Sequence, residues 1–255
     1  MRKFLQFLFL GIAIISYCQS FEFSNGVKVI YTSKMRLGEN YTKTQDFVLV
    51  GDSRSSFFMG ANSYQEEFGK SHTVSKSNGV TLSKGDYFQE KVINNDDSFY
   101  VFNKLIDSRI RYQEKVKLTW VLYGDKKVIN GVNCQMAATN KFGRRWIAWF
   151  SLEHQLPIGP YKFYGLPGLI FELYDTRDDY HFTLISLEKN KDVVKVNIGN
   201  YKNYSKEQYL KVTNNLLYTP VGMPEMNATM QKEFDELVEW RKKRYNNPIE
   251  LSPNK

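Results

Sequence analysis

The chain has 255 residues, 42% of them hydrophobic and 24% charged, with a formal charge of +8. That length suffices for one large domain or two small ones, and so modest a basicity argues against nucleic acid as a partner. Two cysteines, Cys18 and Cys134, exclude a disulfide framework, so the fold must rest on its own core.

Met1-Arg2-Lys3 followed by the apolar run Phe4 to Ile15 has the basic and hydrophobic regions of a secretory signal peptide, too short for a comfortable membrane span. Small residues at Cys18 and Ser20 predict cleavage after Ser20. Acylation of Cys18 is disfavoured because the preceding residue, Tyr17, is not small. The domain plan is therefore a signal peptide over 1–20 and one domain over 21–255, with no transmembrane segment after processing.

Phe21 to Ser33 reads as an opening strand with a turn at Asn25-Gly26. Asp46 to Phe58 reads as strand, Gly-Asp-Ser turn, strand. Met59 to Gly85 is polar and rich in Gly, Ser and Asn, which predicts a long excursion. Tyr87 to Ile93, Phe99 to Leu105 and Gln113 to Leu122 are further strands. Asn130-Gly131 joins Lys127–Ile129 to Val132–Ala138 as a hairpin. Arg145 to Ser151 alternates with apolar residues on both faces, which predicts a central strand covered on both sides. Leu169 to Tyr174, Tyr180 to Glu188 and Val193 to Ile198 complete the strands. Ser205 with Gln208 makes a capping box for a helix to about Leu217. Met223-Pro224 is expected to open a longer helix to about Tyr245, with Met230, Phe234, Leu237, Val238 and Tyr245 as its buried stripe. Strands followed by helices predict an α+β domain: a curved, mainly antiparallel, half-barrel-like sheet carrying the C-terminal helices.

Residues with chemical potential are few. Cys134 sits mid-strand with no basic cluster or helix start to activate it, so it reads as a small buried hydrophobe. His72, His154 and His181 lack metal-ligand spacing, and Asp178-Asp179-Tyr180-His181 is ordinary turn chemistry. Asp52 falls in a hairpin turn whose serines form no nucleophile elbow. Arg241-Lys242-Lys243-Arg244 complements a helix C-terminus. No phosphate-binding glycine motif occurs. The reading therefore names no catalytic, cofactor-binding or metal residue and no cofactor.

The most specific segment is Gly165-Leu166-Pro167-Gly168-Leu169-Ile170, approached by Gly159-Pro160-Tyr161-Lys162-Phe163. Leu166-Pro167-Gly168-Leu169 predicts a type II turn with Gly168 at positive φ. The hexapeptide resembles the signature of the GLPGLI family, exported proteins of Bacteroidota-type bacteria without an assigned activity. That resemblance implies a periplasmic or envelope-associated protein. Trp146, Trp149, Phe163, Tyr164 and Phe171 gather around the signature as candidate pocket aromatics, with a core role as the competing reading. The function expected is non-enzymatic binding of an apolar ligand or an envelope partner protein. An enzyme assembled from scattered polar residues and a structural partner of an outer-membrane complex are the alternatives.

Overall fold

A computed structural model describes residues 20–69, 76–77, 80–81, 85–105, 108–220 and 224–252. The signal-peptide reading, apart from Ser20, and most of the excursion after Gly69 lie outside these residues. Strands β1 (Ser20–Phe23), β2 (Val27–Gly38), β3 (Tyr41–Gly51) and β4 (Ser55–Gly60) precede helix α1 (Ala61–Phe68). The short β5 (Lys76–Ser77) and β6 (Val80–Thr81) lead to β7 (Lys91–Asn95), β8 (Ser98–Lys104), β9 (Arg109–Lys115), β10 (Val121–Ile129), β11 (Val132–Lys141) and β12 (Arg144–Ser151). Then come β13 (Leu169–Asp175), β14 (Tyr180–Lys189), β15 (Val194–Asn197), β16 (Lys202–Asn203), α2 (Lys206–Tyr218) and α3 (Ala228–Arg244).

Twelve strands form one open sheet in the order β10-β11-β12-β13-β14-β2-β3-β4-β7-β8-β9-β16. All neighbours are antiparallel except β9 and β16. This is the expected α+β architecture, with both C-terminal helices on a large antiparallel sheet. Local signals place the turns. Asn130 and Gly131 both take positive φ, as a tight hairpin with right-handed twist demands. The Asp52 carboxylate accepts from the backbone N–H groups of Arg54 and Ser55, which folds the β3–β4 turn.

The central strands bury both faces. On β3, Phe47 and Leu49 enter the main core, while Val48 and Val50 enter a second cluster on the opposite face. That second cluster includes Phe23, Val194 and Val196 of the β1–β15 ribbon and Tyr64 of α1. Strand β12 departs from the expectation. Trp146, Ala148 and Phe150 are fully buried, but Ile147 and Trp149 are only half-buried, and among the described residues the second cluster does not extend to them.

Three further local expectations are corrected. Helix α1 interrupts the supposed excursion because the Asp86 carboxylate, distant in sequence, accepts from Ser63 N–H and Asn62 Nδ2 at its first turn. Helix α3 begins at Ala228, not at Pro224, because the Asn227 side chain accepts from Met230 N–H at 2.9 Å and caps it. Only Phe234 and Val238 of its predicted stripe are buried, and Met230 and Leu237 are exposed. The signature contains no type II turn at Pro167-Gly168. Positive φ falls on Gly165, at +85°, while a Cβ on Gly168 would lie 1.9 Å from the Ser151 carbonyl oxygen. Gly168 serves close backbone approach, and Gly165 serves the left-handed conformation.

Candidate binding cleft

Segment 152–168 crosses from β12 to β13 and docks through its backbone. Gly165 N–H donates to Pro157 O, Leu169 N–H to His154 O, and Ile170 N–H to Ile158 O. Leu166, Leu169 and Ile170 are buried, which fixes the path of the loop. That path carries one charged side chain inward. Lys162 is fully buried, and its Nζ donates to Tyr112 Oη (2.8 Å), Glu114 Oε1 (2.5 Å) and Glu250 Oε1 (2.5 Å). Lys206, at the start of α2, pairs with the other oxygen of each acid, at 2.7 Å to Glu114 and 2.9 Å to Glu250. Tyr161 Oη completes the set by donating to Glu250 (2.6 Å).

The two lysines and two glutamates form a closed charge square. Burial works against the charge of Lys162, but Glu250 and Glu114 outweigh it and hold its proton above the usual lysine range. Burial likewise opposes ionisation of Glu250, yet Lys162 and Lys206 hold its carboxyl below the usual carboxylate range. Tyr112 and Tyr161 are pushed well above the ordinary phenol range, first by burial and then by the surrounding glutamates.

Glu250 belongs to a C-terminal strap that returns across the sheet. Arg144 donates to Asn247 Oδ1 and to the carbonyls of Pro248 and Ile249, while pairing with Asp175 and Asp179. Tyr180 Oη donates to the Asn247 carbonyl, and Asn247 N–H donates to Leu37 O. The strap is therefore held at both its backbone and its side chains.

Between the strap, α2, α3 and the sheet opens a cleft of about 870 Å³. Leu210, Leu217, Leu237 and Trp240 supply its helical wall, and Tyr87 and Phe88, ahead of β7, with Leu105, just after β8, supply part of the facing wall. Such a volume suits a small molecule or a lipid-sized chain. Glu90 lines the same cleft, accepting from Tyr209 Oη at 2.9 Å, and burial raises its carboxyl above the usual range.

None of the five predicted pocket aromatics lines this cleft. Trp146 and Phe163 are core residues in contact with each other, with ring centroids 4.6 Å apart. Phe171 is buried beside His154, and Tyr164 packs on Phe99. Trp149 lies on the outer face under the Lys127 ammonium. The aromatics that do line the cleft, including Tyr87, Tyr112, Tyr161, Tyr245 and Trp240, are dispersed over the chain.

The remaining candidates are accounted for by their neighbours. Cys134 is buried and free, and burial pushes its thiol up to about 11. His181 bridges Glu172 and Asp178, and among the described residues no group of His, Cys, Asp and Glu forms a metal-binding cluster. His72 lies outside the described residues. The basic run ends α3, where Lys242 pairs with Glu239 and the Arg244 guanidinium sits over the rings of Tyr41 and Trp240.

The sequence matches no family model and no curated protein. Among solved structures, PNGF-II in its C2 crystal form aligns at a TM-score of 0.54 with 13% identity, over 79% of this chain and 35% of that chain. Its P21 form gives 0.53 with 11% identity, over 78% of this chain and 37% of that chain. The present chain thus spans little more than a third of PNGF-II, and the likeness concerns the fold alone. A LolA-superfamily protein from Nitrosomonas europaea aligns at 0.28 with 8% identity, over 65% of this chain and 86% of its own, too low a score to carry an argument.

Proposed function

We propose that this is an exported, non-enzymatic binding protein of the bacterial cell envelope, a member of the GLPGLI family by its Gly165–Ile170 signature, that holds an apolar ligand in the cleft. The observation that carries the reading is the cleft itself: about 870 Å³ walled by Leu210, Leu217, Leu237 and Trp240 against sheet aromatics. Exposed apolar surface on Leu237 and Trp240 is costly in water unless something covers it. The ionic groups beneath are engaged with one another, which gives them a supporting role.

N-phenyl-1-naphthylamine, which fluoresces in apolar sites, tests the reading. Wild-type protein should light the probe, and Leu237→Glu and Leu210→Glu should abolish the signal while unfolding cooperatively. Native mass spectrometry of protein purified from its own envelope should show a mass increment that organic extraction removes. A dark probe on wild type, or undiminished signal in both variants, would overturn the proposal. One observation favours an enzyme instead: Glu90 and Glu250 line the same cleft with proton affinities pushed in opposite directions, the pattern of an acid and base pair. Against it, Glu250 has its oxygens taken by Lys162, Lys206 and Tyr161.

A further inference from the structure

The chain is basic overall, yet the cleft is not. Among the described residues that line it, three are acids (Asp86, Glu90 and Glu250) and one is a cation, Arg241. Two of the acids are committed to the protein. Asp86 accepts from Asn62 and Ser63 to hold α1, and Glu250 is satisfied by Lys162, Lys206 and Tyr161. Within the charge square the formal charges cancel, two against two. Glu90 is the acid left over. Its hydrogen-bond partner is a neutral phenol, Tyr209, which is itself buried.

The surroundings of Glu90 add a second observation. Asn103 lines the cleft and hydrogen-bonds the Tyr209 side chain, and its Oδ1 is buried with no hydrogen-bond partner among the described residues. A buried acceptor left without a donor costs about 1–3 kcal/mol, so a donor placed beside Asn103 Oδ1 would be stabilising. The Tyr209 proton already points at Glu90. The Arg241 guanidinium donates to the Leu217 carbonyl. Tyr112, packed edge-on against Tyr209 with centroids 4.7 Å apart, and Tyr87 present aromatic surface to the same space. A buried acceptor without a donor, an acid whose neighbouring cations Lys162 and Lys206 are already paired with Glu114 and Glu250, and aromatic rings together describe a seat for a positively charged donor.

We infer that the ligand is an amphiphile with a protonated amine at its polar end, the ammonium seated against Glu90 and the alkyl body along Leu210, Leu217, Leu237 and Trp240. This assignment rests on the binding reading above and adds the chemistry of the head group to it. The ammonium adds a third cation where Glu90, Glu114 and Glu250 face only Lys162 and Lys206, beside a carboxyl whose ionised form burial disfavours by more than those two lysines restore. It also brings three donors, one of them for the Asn103 oxygen. An anionic head would meet Glu90, whose one hydrogen-bond donor, Tyr209, is already engaged.

Calorimetric titration with decylamine, decanol and decanoate, each below its aggregation threshold, separates the two proposals. Decylamine should bind wild type at least tenfold more tightly than either analogue, even though the protein's net charge of +8 favours the anion in any non-specific association. Glu90→Gln should erase that margin, bringing decylamine to the level of decanol. Equal affinities for decylamine and decanol on wild type, tighter binding of decanoate, or a margin that survives in Glu90→Gln would each overturn the head-group assignment while leaving the cleft reading intact. If none of the three binds, and Leu237→Glu gives the same flat titration, both proposals fall. The wild-type ratio decides the matter even if the Glu90 variant fails to fold.

Discussion

Replacing Lys162 by Met keeps the length of the side chain and removes its charge. The ammonium is fully buried and makes three hydrogen bonds, two of them to carboxylates at 2.5 Å. Without it, Glu114 and Glu250 share a single cation, Lys206, and Tyr112 Oη loses its donor. Breaking a buried ion pair from one side costs about 3–5 kcal/mol, most of it the penalty of a stranded charge. In a domain of this size that corresponds to a fall of roughly 6–20 °C in melting temperature. Urea unfolding followed by tryptophan fluorescence reads the change directly, with the slope expected to stay constant. The double variant Lys162→Met/Glu250→Gln should be more stable than Lys162→Met alone, because the stranded carboxylate goes with its partner. The pH profile carries the sign. Glu250 has its proton affinity lowered by folding, so its contribution is present above the usual carboxylate range and fades as pH falls through its folded value. Lys162 is raised, so its contribution holds below the usual lysine range and fades as pH rises through its folded value. The gap between wild type and variant should therefore be widest near neutrality and narrow toward both extremes. A loss below about 1 kcal/mol at neutral pH, or a double variant as weak as the sum of the singles, would refute this account of the charge square.

Gly168→Ala should destabilise more than Gly165→Asn, because the former forces a Cβ onto the Ser151 carbonyl while the latter meets open space at a φ that Asn tolerates; comparative thermal unfolding checks the order. Leu169→Ala and Ile170→Ala should each cost about 2–5 kcal/mol in urea titrations, since both side chains are fully buried in the main core. Native Cys134 should react with a thiol reagent far more slowly at pH 8 than in urea, because burial keeps it protonated; equal rates would show the strand is open there. Intact-mass measurement of the exported protein should give Phe21 as the first residue with no acyl adduct at Cys18.

What could be read from the chain was what is encoded within a few residues. The Asn130-Gly131 turn, the Asp52 turn and the Ser205–Gln208 capping box all depend on contacts inside a short window, and each stands as expected. The start of α3 was misplaced because Pro224 and Asn227 are both legitimate openings, and only the latter offers a side-chain acceptor. Helix α1 escaped notice because its cap comes from Asp86, 23 residues further along the chain. The cleft was hidden for the same reason on a larger scale. Lys162, Glu114, Glu250 and Lys206 come from four separate segments, and nothing local to any one of them announces a shared site. The tryptophans and phenylalanines near the signature were prominent in the sequence because they pack densely, which is also why they are unavailable to a ligand.

Strand β2 lies between β3, its neighbour in sequence, and β14, so Val27 faces Gly51 on one side and Lys189 on the other. During synthesis the first strands emerge long before the tenth residue of β14 exists to cover them. Until then Val29 and Tyr31 belong to an exposed edge with free amides, a template for pairing with any other extended chain. Closing so distant a contact is slow. The molecule therefore has a vulnerable interval set by topology, and a helper that shields an unfinished sheet edge during maturation would act most usefully on β2.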